Sequence, residues 1–230
     1  MVARQWAGWL CGGDDRRQLD PAVPRLADRA GRTAARTKAH LGEGRCRAYR
    51  RRASWPLCTN RWSGGAIGPA GHVHIESFHL DGSIPVWLFA IGLTRIEARI
   101  WLEPNSNTTY VAWRLLRGLD APLRPLTLRV RLMVNDRDHH GQTAPGQIDP
   151  RLEADSTGLR VHQPDFSLTF RACRGVLTPA REWIENFDLS VERERGLFDC
   201  DSHLQIAEGR LELVPGEWVG VVGSLGNLCK

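Results

Sequence analysis

A chain of 230 residues with 42% hydrophobic and 25% charged residues has the make-up of an ordinary globular protein. It is long enough for one large domain or a medium domain with an extension. No apolar run approaches the roughly 18 residues of a membrane span. Met1 to Gly12 also lacks the basic start and apolar core of a secretory leader, so the expected compartment is the cytoplasm, with no membrane partner. The net charge of +5 is unevenly spread: residues 1–70 carry 14 Lys and Arg against 5 Asp and Glu, whereas residues 71–230 carry 17 against 21.

From Met1 to about residue 70 neither a helical nor an alternating pattern persists long enough to bury a face. Val23, Leu26 and Leu41 stand isolated among Arg, Ala and Gly, and Arg45 to Arg52 form a basic run. Such composition does not readily offset its ordering entropy. Residues 1–70 are therefore read as an irregular basic arm, either disordered or translated out of frame. Phosphate contact by the Arg run is the rival reading, and no nucleic-acid partner is expected. Gly64-Gly65-Ala66-Ile67-Gly68 resembles a phosphate loop only superficially, because it lacks a preceding strand and a Gly-Lys-Ser/Thr ending.

Beyond residue 71 the pattern changes. Ile84 to Ile91 is apolar and β-branched, and Ile96, Ala98, Ile100 and Leu102 alternate with Arg95, Glu97, Arg99 and Trp101. Thr108 to Leu116 is again strand-like. Leu126, Leu128, Val130, Leu132 and Val134 then alternate with Thr127, Arg129, Arg131 and Met133. This period of two sets one apolar and one amphipathic face on a strand. Phe166, Leu168 and Phe170 repeat it, as do Leu204 with Ile206 and Leu211 with Leu213, before the apolar stretch Trp218 to Val222. Turn chemistry separates these runs at Asp81-Gly82, Pro104 to Asn107, Asn135 to Asp138, Ser156 to Gly158 and Pro215-Gly216. One segment, Thr178 to Glu185, reads as a short helix with Thr178 as cap and Pro179 at the first position. The expected fold is all-β, an antiparallel, supersandwich-like β-sandwich over residues 71–230. The six cysteines are scattered with no Cys-x-x-Cys pair, and are read as reduced and structural.

The run His74 to Trp87, then Glu97-Ala98-Arg99-Ile100-Trp101 and Asn107 to Val111, resembles the N-terminal domain of the bacterial and archaeal type of glycogen debranching enzyme. The resemblance continues through Val134-Asn135-Asp136-Arg137-Asp138-His139-His140, which is similar to that family's Asn-x-Arg-Asp-x-His pattern. It runs on through Trp183 to Leu189, Glu192-Arg193-Glu194-Arg195-Gly196-Leu197 and Pro215-Gly216-Glu217-Trp218. The Arg-Tyr-His-Gly-like motif with which the family begins is missing from residues 1–70.

The resemblance implies a non-catalytic domain of an enzyme that hydrolyses α-1,6-glucosidic branch linkages in glycogen catabolism. Its partners would be a catalytic helical barrel and, in the intact enzyme, glycogen or α-glucan. The family's acid and base lie on that barrel, which does not occur before Lys230. The chain is thus expected to be a fragment, inactive alone, with no catalytic residue, cofactor or metal. The alternative is a stand-alone glucan-binding sandwich.

Asp136, Asp138, His139 and His140 could in principle bind a divalent ion. Adjacent histidines point apart on a strand, however, and helical i, i+4 spacing is absent. A buried charge network, with Arg137 gripping a carboxylate, is the preferred reading. The structural or interdomain candidates are accordingly Asn135, Arg137, Asp138, His140, Glu192 and Arg195. Asp81 is expected to accept backbone N–H bonds in its turn, and Glu192 to Arg195 to alternate in sign along an extended stretch. Among possible sugar platforms are Trp87, Trp101, Trp113, Trp183 and Trp218.

Overall fold

The structure is a computed structural model. It describes residues 46–49, 53–116, 125–137, 141–155, 158–164 and 166–225, and the backbone of 37–41 and 50. In chain order the strands are β1 (Thr37–Leu41), β2 (Arg47–Arg50), β3 (Ala53–Pro56), β4 (Ile75–Asp81), β5 (Ile84–Ile91), β6 (Thr94–Leu102) and β7 (Thr108–Leu115). They continue with β8 (Leu126–Asp136), β9 (Arg151–Ala154), β10 (Gly158–His162), β11 (Ser167–Cys173), β12 (Gly175–Asp188), β13 (Cys200–Leu213) and β14 (Trp218–Leu225). One helical turn, α1 (Ser190–Glu194), lies between β12 and β13.

These strands form two antiparallel sheets. One runs β4-β5-β6-β7-β14-β11-β10-β9 and the other β12-β13-β8-β2-β3, with β1 also paired to β8. The fold is the expected all-β sandwich. Its core lies between the sheets, where Leu128, Val130 and Leu132 of β8 share one cluster with Ile96, Val111, Trp113, Phe170 and Val221 of the larger sheet. Full burial of such side chains contributes about 1.5–3 kcal/mol each.

The alternation of β8 fails after Leu132: Met133, Val134 and Asn135 are all buried. Here the segment 57–70 crosses the outer face of the smaller sheet and buries Met133, Ile184 and Phe187 beneath Trp62. The backbone of Arg61 accepts from Asp188 at 3.0 Å, and Ser63 donates to Asn186 at 2.7 Å.

Three expectations need correction. The first is the irregular arm through residue 70. For residues 46–70 it does not hold, because β2 pairs with β8 (Arg47 opposite Arg129, Ala48 opposite Leu128) and Cys46, Ala48, Leu57 and Cys58 enter the core. Residues 1–36 lie outside the described residues. The second is the helix at Thr178 to Glu185, which belongs instead to β12. Because β12 is an edge strand, Pro179 is tolerated, and a register shift between Pro179 and Glu182 absorbs the irregularity. The third is Glu192 to Arg195, which turn through α1 rather than running extended.

Candidate functional site

The end of β8 meets the start of β13 in a buried knot. Asp201 has a fully buried side chain, and Arg137, 6% exposed, places Nε 2.8 Å from Asp201 Oδ2. Asn135 Nδ2 donates to the same oxygen at 3.1 Å. The backbone N–H groups of Thr143 and Ser202 donate to Oδ1 at 2.8 and 3.0 Å. Arg137 Nη1 donates onward to the Gly141 carbonyl at 2.7 Å. One carboxylate thus ties two strands to the 141–143 loop by charge-assisted bonds, the stronger kind. Asp136 is half-buried beside it, while Asp138, His139 and His140 lie outside the described residues.

Next to the knot Arg193 bridges two acids, donating to Asp188 Oδ1 and, at 2.6 Å, to Asp199 Oδ2. These hydrogen bonds, first the one to Asp199 and then the one to Asp188, raise its pKa above the ordinary value. Glu192 is buried, and Arg195 Nη1 reaches its carboxylate only at 3.9 Å. The turn leaves Val191, Leu197 and Phe198 exposed.

On the outer face of the larger sheet the charges form a ladder. Asp81 accepts from Arg99 at 2.8 Å rather than from its own turn, and Glu97 accepts from Arg99 at 2.6 Å and from Arg114 at 2.5 Å. Burial pushes the Glu97 carboxyl up, but the bonds and charges of Arg114 and Arg99 outweigh it and hold it below its ordinary value.

The tryptophans divide by position. Trp87 and Trp113 are core residues at 1% and 4% exposure, and Trp183 packs half-buried against the core. Trp101 stacks on Tyr110 at 5.1 Å, and Trp218 lies under the guanidinium groups of Arg99 and Arg114.

Another feature lies on the outer face of the smaller sheet, in part of the chain read as irregular. A groove of about 460 Å³ is lined by Arg47, Tyr49, Trp62, Gly68, Pro69, Arg129, Arg131 and Glu208. Its floor follows from strand register, since Arg47 pairs with Arg129 and Glu208 with Arg131, and their side chains share the face opposite Ala48, Leu128 and Val130. Its wall is the glycine-rich turn, where Gly64 and Gly65 both have φ +88°, a conformation that favours glycine. Trp62 Nε1 donates to the Gly68 carbonyl at 2.8 Å, and its ring sits 4.9 Å from Phe187. The local signal for this site was weak, because Arg47 and Tyr49 alternate with Cys46 and Ala48, inward residues too small to mark a strand.

Two antiparallel sheets packed face to face, with acids held by arginines and a polar aromatic groove on one outer face, define an all-β sandwich domain. The family model described as glycogen debranching enzyme N terminal matches residues 45–220, and the chain belongs to that family. The matched span begins with β2 and ends within β14, so it takes in strands of both sheets. A search of curated proteins matched none to this chain.

Proposed function

We propose that this sandwich is a non-catalytic domain of an enzyme that hydrolyses α-1,6-glucosidic branch linkages during glycogen catabolism. The family match across both sheets carries the reading. The treatment of the acids supports it: Asp81, Glu97, Asp188 and Asp201 are each held by an arginine. Glycosidic cleavage instead needs two carboxyl groups facing each other across a sugar, about 5–9.5 Å apart. The domain's task is then support of a helical-barrel partner. The turn carrying exposed Val191, Leu197 and Phe198, braced by Arg193 and the Asp201 knot, is the surface assigned to that contact. An apolar patch stiffened from below suits docking.

The test uses the purified chain and a family catalytic barrel expressed separately. The chain alone is expected to release no glucose from a limit dextrin and to co-elute with the barrel in size-exclusion chromatography. Replacement of Phe198 by Asp is expected to abolish co-elution. Enzyme-like glucose release by the chain alone, or failure of the unsubstituted pair to associate, would overturn the proposal.

A further inference from the structure

The geometry points to the groove of Arg47, Tyr49, Trp62, Arg129, Arg131 and Glu208 as an α-glucan-holding site. The inference rests on the proposed role in glycogen catabolism and adds to it a location and a chemistry.

The volume, about 460 Å³, falls within the roughly 300–1,000 Å³ typical of small-molecule sites. Its lining combines two aromatic side chains with planar polar ones. A pyranose ring has the matching character, with an apolar C–H face and pairs of adjacent hydroxyls around its rim. Aromatic rings take the C–H face, while the forks of guanidinium and carboxylate groups match the spacing of neighbouring hydroxyls.

Charge argues for a neutral polyol over an anion. Arg129 lies 3.7 Å from Glu208 and Arg131 3.4 Å from Glu182, so acids already partner two of the three arginines. A phosphate entering the groove would also face the Glu208 carboxylate in its lining. Hydroxyls both donate and accept, and so can use the arginines and Glu208 together. Arg47 contributes a donor fork: it reaches Ser54 Oγ at 3.4 Å, and among the described residues no carboxylate pairs with it.

The site is also held ready. Trp62 is fixed by its bond to the Gly68 carbonyl and by Phe187, and Tyr49 is pinned by Arg129 at 4.8 Å from its ring centre. Rings ordered before binding lose little entropy when a ligand arrives.

Affinity electrophoresis of the full chain through gels with and without glycogen is the primary test, followed by titration with maltoheptaose and, separately, inorganic phosphate. The unsubstituted chain is expected to be retarded by glycogen. Arg47→Ala and Tyr49→Ala are expected to weaken binding by about tenfold or more each. The distant Arg95→Ala should leave binding unchanged, as a control for loss of one positive charge. Arg47→Lys and Tyr49→Phe, which keep the local packing, cover the case in which an alanine variant fails to fold. Tyr49→Phe should retain binding and Arg47→Lys should lose most of it.

Migration of the unsubstituted chain unaffected by glycogen would overturn the inference, as would retardation that all groove variants retain. Binding of phosphate without binding of maltoheptaose would replace the glucan with an anion. None of these outcomes touches co-elution with the barrel, so failure here is distinguishable from failure of the proposed function.

Discussion

Substituting Asp201 by Asn changes one oxygen to an amide nitrogen within the buried knot. With Oδ1 retained, the N–H groups of Thr143 and Ser202 keep their acceptor. The new amide nitrogen would instead face Arg137 Nε and Asn135 Nδ2, which sit 2.8 and 3.1 Å from the present Oδ2. Three donors then converge, and the Arg137 charge stays buried with the Asp201 carboxylate gone. Breaking a buried pair by altering one partner costs about 3–5 kcal/mol, a large part of the roughly 5–15 kcal/mol that holds a domain together. At about 2–4 °C per kcal/mol for a domain of this size, the midpoint of thermal unfolding should fall by roughly 6–20 °C.

Urea titration followed by tryptophan fluorescence measures the loss directly. Arg151→Gln serves as the comparison, since it removes an exposed pair with Glu153 at 2.7 Å and should cost less than about 1 kcal/mol. If Asp201→Asn proved no worse than Arg151→Gln, the knot would not be a stabilising element.

Gly71→Ala should destabilise by about 1–3 kcal/mol, read as an earlier urea midpoint, because its added methyl would lie 2.4 Å from the backbone N and O of Cys58. Glu97→Gln should cost about 1.5–3 kcal/mol at neutral pH, since two charge-assisted bonds are weakened. The folded-state pKa of Glu97 is depressed, so its contribution is present above the unfolded value of about 4.3 and lost as pH falls through the lower folded value. Thermal melts of the Gln variant and the unsubstituted chain should therefore converge in acid, and a gap independent of pH would refute the assignment. Burial, with the neighbouring Cys58 adding to it, pushes the Cys46 thiol up. Alkylation resolved by peptide mass spectrometry should therefore label exposed Cys173 before Cys46 and Cys58, which should react only on unfolding.

The sandwich was legible wherever inward residues are large. Leu126, Leu128 and Val130 announce β8 because each buries a branched side chain between polar neighbours. Around β2 the same alternation exists, but the inward residues are Cys46, just before the strand, and Ala48, and the outward ones are Arg47 and Tyr49. The apolar contrast is then too faint to separate a strand from a basic tail. The start of β13 was hidden for the opposite reason, since Asp201, Ser202 and His203 are all buried and no alternation survives where both faces are covered. Thr178-Pro179 carries a genuine helix-start signature, overridden by pairing with β13. Arg137 was recognisable as a carboxylate-gripping residue, but not its acid, because Asp201 lies 66 positions from Asn135 and only the sheet brings them together.

The segment from Cys46 to Ala70 links the fold to the groove. Its strand β2 completes the edge of β8, its inward residues join the core, and Trp62 covers Met133 and Phe187. The outer surfaces of the same residues form the groove, with Arg47 and Tyr49 rising from the floor and Trp62, Gly68 and Pro69 making the wall. The groove can therefore exist only when this segment is folded onto the sheet. Its residues fall into two physical kinds. Trp62 is shared between core and groove, so losing it would weaken folding and binding together. Arg47 projects from a strand whose burial depends on Cys46 and Ala48, so its removal separates ligand chemistry from stability.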